Sequence, residues 1–270
     1  MAAVKMLSFK DIQTENVLYF DTDWKDDCYT FCLDHNIDQL PSIEDPTKIY
    51  IRDEQIQTFR VETIKPERIV DQNFNIFSQG MLERFRLRPL LLVYSHSELS
   101  GVVHFSDYNK PVVSIFLYEL FFSYEKALRA ILVLRGFGNK DMLEFLTYKS
   151  STSRGKKSKK YFADKISKIK IRLAKNEKLP AMQTFDFKDL MEFCVYKEIA
   201  TISFSVNKLR NMIMHAHELV NIEDPSTDEY IYNFDSFEEF FNLVVELLHD
   251  YKKVVNLLAF MSQDPSLHNG

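Results

Sequence analysis

The sequence is poor in residues that interrupt or cross-link a chain. Its 270 residues include six glycines, eight prolines and three cysteines, against 23 phenylalanines and 13 tyrosines. So few turn-forming residues favour helices packed through aromatic side chains over a loop-rich β-sandwich. Three cysteines cannot form a complete set of disulfides, and the first residues contain no apolar signal segment. We therefore expect a reducing, cytoplasmic compartment.

Several functional signatures are also missing. No run approaches about 18 uncharged apolar residues, so we expect no membrane span. There is no P-loop, nucleophile elbow or H-E-x-x-H motif. Gly136 and Gly138 form too short a pattern for a phosphate-binding fingerprint and indicate the end of a helix. Cys28 and Cys32 lie four residues apart on a predicted helix, where two buried thiols are more common than a redox or metal pair. We therefore expect no metal site.

Charge is distributed unevenly along the chain, whose net charge is −5. Between Asp11 and Glu54, twelve acidic residues oppose three basic ones, a local charge of −9. Between Arg154 and Lys175, ten basic residues oppose one acidic residue, a local charge of +9. A polyanion is therefore expected to bind the second segment.

The basic segment begins with a polar stretch at residues 150–160, predicted to be a mobile loop, and continues into a helix with a basic outer face at residues 161–175. Such a face is often only solvated, and it can also contact a phosphate backbone. The predicted RNA contacts are Lys156, Lys157, Lys159 and Lys160.

Strand and helix signals repeat in the first hundred residues with a period of about fifty. A β-prone run at residues 17–20 precedes a predicted helix at 24–36, a strand at 48–53 and a β-prone piece at 59–64. The pattern restarts at 69–70 with a helix at 74–87 and strands at 90–94 and 101–105. This repeat predicts an α+β module at residues 1–108.

The second repeat ends in three pieces. R-P-L-L-L-V-Y is a predicted strand, S-H-S-E-L is a tight turn, and S-G-V-V-H-F-S-D-Y is a Gly-led strand that runs into a polar signature. This pattern resembles the end of a CBS motif, with Gly101, His104, Ser106 and Asp107 in the signature positions. The resemblance implies a tandem pair that binds an adenine nucleotide, with Asp107 on the ribose hydroxyls. His104 stands where that family usually has Ser or Thr, and the first repeat has no Gly-led signature. Asp107 is also well placed to cap the following helix.

From residue 111 onward, apolar residues recur at helical spacing. We predict helices at residues 111–135, 141–148 and 187–219, and a last helix from Ser236 to Met261 that opens with a capping box. These helices predict an all-α bundle at residues 111–265.

Residues 207–218 read N-K-L-R-N-M-I-M-H-A-H-E, which places a cation, an amide and an imidazole on one helix. Asn211 and His215 are four residues apart and share a face, and Arg210 reaches them through its length. His215 and His217 point about 200° apart on a helix, so they cannot share a metal ion. The remaining trio of Arg210, Asn211 and His215 suits an anionic phosphate.

This arrangement near the end of a bundle helix resembles the signature of the HEPN family. In that signature an Arg, often followed directly by Asn, is separated from a His by four to six residues. The resemblance implies a homodimer in which two motifs face one another, and metal-independent cleavage of RNA by attack of a 2′-hydroxyl, without a cofactor. Arg210 would neutralise the phosphate, Asn211 would position an oxygen or the imidazole, and His215 would transfer a proton.

The sequence thus predicts a cytoplasmic HEPN-like endoribonuclease attached to a CBS-like nucleotide sensor, a combination that suits a toxin or antiphage effector. An alternative is a non-catalytic nucleotide-sensing adaptor in which both modules only bind. A third reading gives Arg210 and His215 no role beyond holding a homodimer together.

Overall fold

The computed structural model describes residues 4–35, 37–175, 185–214, 220–224 and 229–263. The chain divides into two compact units. The sheet unit comprises Lys5–Phe116 and Glu218–Phe241, and the helical unit comprises Met1–Val4, Leu117–His217 and Asn242–Gly270. Within the described ranges, no helix is long and apolar enough to cross a membrane.

The sheet unit contains short helices and short strands, which agrees with the predicted α+β class. In chain order these elements are α1 (Phe9–Ile12), α2 (Lys25–Asp34), β1 (Gln39–Pro41), β2 (Lys48–Asp53), β3 (Thr58–Thr63), β4 (Ile69–Asp71), α3 (Met81–Leu87), β5 (Leu90–Ser95), β6 (Glu98–His104), β7 (Asn221–Asp224) and β8 (Glu229–Tyr232). β1, β2 and β3 form an antiparallel sheet, and β7 pairs with β8. In the third sheet, β5 is parallel to β4 and antiparallel to β6.

Both halves of the sheet unit have the same order of elements. In the first half, Phe20 forms a parallel bridge with Ser42 next to β1, α2 lies between them in sequence, and β2 is antiparallel to β1. In the second half, β4 and β5 are parallel, α3 lies between them, and β6 is antiparallel to β5. The strand predicted at 17–20 is reduced to the Phe20 bridge. The helix predicted at 74–87 begins only at Met81, after Gly80 with its positive φ of 85°.

An aromatic cluster around Tyr108 places the boundary of the sheet unit differently from the predicted break at residues 108–111. Tyr108 is fully buried, and its hydroxyl donates to the Ile76 carbonyl at 2.6 Å. Its ring packs against Phe85 and Phe237, and Phe237 also packs against Phe241. Residues of a late helix thereby complete the core of the sheet unit, which explains why Glu218–Phe241 belongs to it. Sequence periodicity alone could not assign that helix to a unit.

Among the described residues, six helices supply the helical unit, and the first and last of them also contribute residues to the sheet unit. They are α4 (Pro111–Leu134), α5 (Asn139–Thr152), α6 (Lys156–Ala174), α7 (Phe187–Tyr196), α8 (Val206–Met214) and α9 (Phe234–Gln263). Along α4, Leu117, Leu120, Tyr124 and Leu128 are buried at helical spacing, as the apolar pattern predicts. The predicted helical character of this half of the chain is therefore confirmed.

The single helix predicted at residues 187–219 is wrong, because α7 and α8 are separate helices. Glu198 ends the first of them in a left-handed conformation with φ of 54°. Its N–H donates to the Val195 carbonyl at 3.0 Å, and the Ile199 N–H donates to the Cys194 carbonyl at 2.9 Å. This pattern is a Schellman motif, which usually has glycine at the left-handed position. Because residue 198 is glutamate rather than glycine, the sequence does not indicate that a helix ends there.

The mobile loop predicted at residues 150–160 is also wrong. α5 extends to Thr152 and α6 starts at Lys156, so only residues 153–155 separate the two helices. The four predicted RNA-contacting lysines therefore lie on the first turns of a helix. Lysine is a good helix former, and Phe162 and Ile169 supply the buried side of α6.

Candidate functional site

Arg210 lies beside a small cleft between α4 and α8. The cleft has a volume of about 70 Å³, and its lining residues are Tyr118, Phe121, Phe122, Glu125, Arg210, Ile213 and Met214. Tyr118 and Phe122 are one helical turn apart on α4, and 54% and 65% of their surfaces remain exposed. Two open aromatic rings therefore border a cleft that contains a guanidinium group.

The guanidinium of Arg210 has no acidic partner among the described residues. It lies over the Phe187 ring, with its central carbon 5.9 Å from the ring centroid, which favours a cation. Glu125, the only carboxylate that lines the cleft among residues with a described position, is paired instead with Arg129 at 2.5 Å. Arg210 is half-buried, so an unneutralised positive charge lies in partly desolvated surroundings. This arrangement favours an anion.

The amphipathic pattern of α8 explains how Arg210 reaches the cleft. Val206 and Leu209 are fully buried. Arg210 is about 40° around the helix from Val206, at the edge of the buried side, whereas Asn211 is exposed. Arg210 and Asn211 thus lie on a helix, as predicted. The third predicted residue, His215, lies outside the described residues, as does His217.

The segment before α8 is fixed by two carboxylates of α9. The Ser203 N–H donates to Asp250 at 2.7 Å, and the Asp250 side chain is buried. The Ser203 hydroxyl donates to Glu246 at 3.1 Å, and the Ser205 hydroxyl also contacts that carboxylate. These bonds begin α8 at a defined position. The orientation of Arg210 therefore depends on a partly exposed polar network, anchored by the buried Asp250, as well as on apolar packing.

The outer face of α6 carries seven exposed basic side chains. They are Lys156, Lys157, Lys159, Lys160, Lys168, Lys170 and Arg172. The six lysines have no carboxylate partner among the residues that the structure describes, and Asp164 is the only acidic residue on this helix. Four of them lie in the first turns, although the positive end of the helix dipole disfavours cations there. A bound polyanion would relieve this repulsion.

One basic residue of α6 faces inward and anchors the helix. The Lys165 ammonium group contacts the carboxylate of Asp189 on α7 and lies 3.6 Å from Asp186. Only 5% of the Asp189 side chain is exposed. Burial lowers the pKa of Lys165, and the carboxylate of Asp186 acts in the opposite direction. Since Phe187 also belongs to α7, the same short helix contacts both α6 and Arg210.

The predicted nucleotide-binding residues His104, Ser106 and Asp107 are bonded to one another within one turn. The Asp107 carboxylate accepts from the His104 N–H at 2.7 Å and pairs with Lys110 at 3.0 Å. His104 Nδ1 accepts from the Ser106 N–H at 3.2 Å and lies 2.8 Å from the Ser106 hydroxyl. Burial lowers the pKa of His104, and the Asp107 carboxylate acts in the opposite direction. The three side chains cap the 3₁₀ helix Phe105–Asn109, so a ribose would have to compete with these bonds.

The described residues contain no group of three or more His, Cys, Asp or Glu side chains that could hold a metal ion. Cys28, Cys32 and Cys194 are free thiols. Burial raises the pKa of the Cys32 thiol to about 11 and that of the Cys194 thiol to about 12. These two thiols stay protonated near neutral pH and are poor ligands and nucleophiles.

Sequence reasoning did not associate four residues with Arg210: the cleft residues Tyr118, Phe122 and Glu125 and the ring of Phe187. They come from α4 and α7, far from the motif in sequence. A helical wheel of α4 could have shown that Tyr118 and Phe122 share a face outside the buried stripe. No signal in the sequence assigned that face to α8.

Comparisons with protein-family models, with curated proteins and with solved structures find no match to this chain.

Proposed function

We propose that the helical unit is a metal-independent endoribonuclease of the HEPN type, which binds RNA on α6 and cleaves it at a site formed by Arg210, Asn211 and His215. The observation that carries the proposal is the Arg210 guanidinium, which has no acidic partner in the described part of the chain and lies beside the exposed rings of Tyr118 and Phe122. A guanidinium binds a phosphate through paired hydrogen bonds, and aromatic rings stack on unpaired bases. RNA offers both groups within one nucleotide.

Each residue has a defined task in this reaction. The 2′-hydroxyl attacks the adjacent phosphorus, the new P–O2′ bond forms, and the P–O5′ bond breaks. Arg210 stabilises the charge on the phosphoryl oxygens, and the exposed Asn211 amide donates a hydrogen bond to one of them. His215, assigned from the sequence motif, transfers a proton at the 2′- or 5′-oxygen. The products are a 2′,3′-cyclic phosphate and a 5′-hydroxyl.

Cleavage is tested with an end-labelled single-stranded RNA in the presence of a metal chelator. We expect wild type to release cyclic-phosphate products, and Arg210→Ala and His215→Ala each to lower the rate by about 10²-fold or more. His217→Ala is the matched control and should cleave at the wild-type rate. An RNA with 2′-O-methyl groups should stay intact, because the nucleophile is blocked. Equal cleavage by wild type and His215→Ala would refute the site.

Binding on α6 is tested by the salt dependence of RNA affinity. Replacing the four lysines by glutamine should flatten the slope of log affinity against log salt by up to about 3, since each phosphate contact contributes about 0.7 for a single strand. The replaced residues are Lys156, Lys157, Lys159 and Lys160. The control removes the same charge from exposed lysines of the sheet unit, namely Lys5, Lys10, Lys25 and Lys65, and should leave the slope unchanged. An unchanged slope in the α6 variant would exclude this face.

Substituting an exposed aromatic residue of the cleft distinguishes RNA binding from self-association. Phe122→Ala should weaken RNA binding at least about fivefold, because a stacked base contributes about 1–3 kcal/mol. Val133→Ala, which removes another exposed apolar side chain of α4, should not. We also propose a homodimer, whose mass Phe122→Ala and Arg210→Ala should leave unchanged in sedimentation. If these substitutions changed mass but not RNA affinity, the cleft would be a dimer contact instead.

We further propose that the sheet unit is a degenerate CBS-like pair. The supporting observation is that the strand–helix–strand–strand order occurs twice, with Phe20 and Val70 fifty residues apart at equivalent places. The hydrogen bonds among His104, Ser106 and Asp107 favour a structural role for the signature over nucleotide binding. A purely nucleotide-sensing adaptor therefore has less support than RNA cleavage.

A further inference from the structure

The sheet unit has an open groove beside α2 with a lining that is almost entirely apolar. Its volume is about 340 Å³, near the lower end of the range of small-molecule sites. In the described part of the chain, three aromatic side chains line it, Tyr19, Trp24 and Phe31, and Asp27 is the only charged lining residue. The groove is unrelated to the CBS-like signature at residues 104–107.

The groove is built on a packed floor. Leu40, which lines it, is buried in a cluster with Phe20, Cys32 and Phe59. The aromatic residues above this floor are open to solvent, with 63% of Trp24, 42% of Phe31 and 37% of Tyr19 exposed. Cys32 is the buried residue of α2. The exposed rings of Trp24 and Phe31 therefore lie outside the core and line the open side of the groove.

The electrostatic surroundings of the groove select the charge of a ligand. Residues 21–38 contain six acidic residues and one lysine, a local charge of −5. Aromatic faces carry negative potential, which attracts a cation placed over them. The Asp27 carboxylate has the same preference. An anion is disfavoured by Asp27 and by the ring faces, and a neutral apolar ligand gains only from burial.

We propose that this groove binds an organic cation with apolar substituents, such as a quaternary or alkylated ammonium group. The alkyl groups replace water against Leu40 and the ring faces, and the positive charge interacts with the rings and with Asp27. This proposal does not rest on the RNA-cleavage proposal, because the residues that line the groove belong to the sheet unit.

The chain provides its own reporter for this site. Trp24 is the only tryptophan, so intrinsic tryptophan fluorescence comes from the groove alone. The full-length protein is titrated with choline and, separately, with 3,3-dimethylbutanol, which has the same shape without the charge. We expect a saturable change with choline and at least about threefold weaker binding of the neutral alcohol. Equal binding of the two, or no saturable change with choline, would overturn the proposal.

Two substitutions assign the effect to named groups. Asp27→Asn should weaken choline binding about threefold, whereas Asp34→Asn, an exposed acid on α2 that does not line the groove, should leave it unchanged. Phe31→Leu keeps the apolar surface but removes a ring face, so the preference for choline over the alcohol should fall. Circular dichroism verifies that each variant is folded.

Self-association is the competing explanation for exposed aromatic residues. Sedimentation of wild type and of Trp24→Ala at several protein concentrations tests it. The proposal expects identical masses with and without choline. A dimer that Trp24→Ala dissociates and choline does not would show that the groove is a contact between copies, and would overturn the proposal.

Discussion

Replacing Lys165 by methionine should be among the most destabilising single changes in the helical unit. The Asp189 carboxylate is 95% buried and contacts the Lys165 ammonium group, whose own side chain is 15% exposed. Methionine has a similar length but leaves the carboxylate without its cation. Breaking a buried ion pair in this way costs about 3–5 kcal/mol. Lys165 is slightly open to solvent, which places our expectation at about 3 kcal/mol.

The assay is urea unfolding of the full chain, followed by circular dichroism because the only tryptophan belongs to the sheet unit. The double variant Lys165→Met with Asp189→Leu removes both charges and should regain stability to within about 1 kcal/mol of wild type, since an apolar pair of similar volume can replace a buried ion pair. Lys188→Met, at an exposed lysine of α7, is the control. A loss below about 1 kcal/mol in Lys165→Met, or no recovery in the double variant, would refute the reasoning.

Three further predictions concern turns and caps. Burial lowers the folded-state pKa of His104, so the unfolded chain binds more protons as the pH falls below about 6.5 and stability is lost there. His104→Asn keeps a cap acceptor without a titrating group, and should show a smaller loss of urea stability between pH 7 and 5; equal losses would contradict this. Asp107→Ala should cost about 1 kcal/mol through loss of the cap, measured by thermal unfolding, with the same change with or without AMP. A stabilisation by AMP that the variant lacks would instead support a ribose site. Glu198→Gly should stabilise the protein by about 0.5–1 kcal/mol, because glycine adopts its left-handed conformation without strain, and a destabilised variant in urea unfolding would count against the Schellman assignment.

Sequence reasoning succeeded where one periodic signal dominated. The apolar spacing of residues 111–135 matches α4, and the alternating residues 48–53 match β2. It failed where a turn used an unexpected residue. Glu198 ends α7 in a position that usually requires glycine. The left-handed conformation of this glutamate depends on surrounding packing, which a local pattern does not report. The tight turn predicted at S-H-S-E-L, by contrast, is present between β5 and β6, with positive φ at His96 and Ser97.

The candidate site was predicted only in part, for a related reason. A motif on one helix identified Arg210 and Asn211, because their spacing is local. Whether Arg210 is neutralised depends on Glu125, and this carboxylate is occupied by Arg129, its neighbour one turn along α4. Competition between two arginines for one carboxylate is decided by how helices pack. The sequence shows which residues are charged but not which of them form ion pairs.

The uneven charge of the chain corresponds to two surfaces of opposite preference in separate units. The lysines of α6 favour a phosphate backbone, and Asp27 and the ring faces of the groove beside Trp24 disfavour it. Exposed charges are screened beyond about 8 Å at physiological ionic strength, so each surface selects its ligand by contact rather than at a distance. If both proposals hold, raising the salt concentration should weaken RNA binding steeply, through many phosphate contacts, but choline binding only slightly, through one carboxylate. Comparable salt slopes for the two ligands would mean that one of them binds somewhere other than the proposed surface.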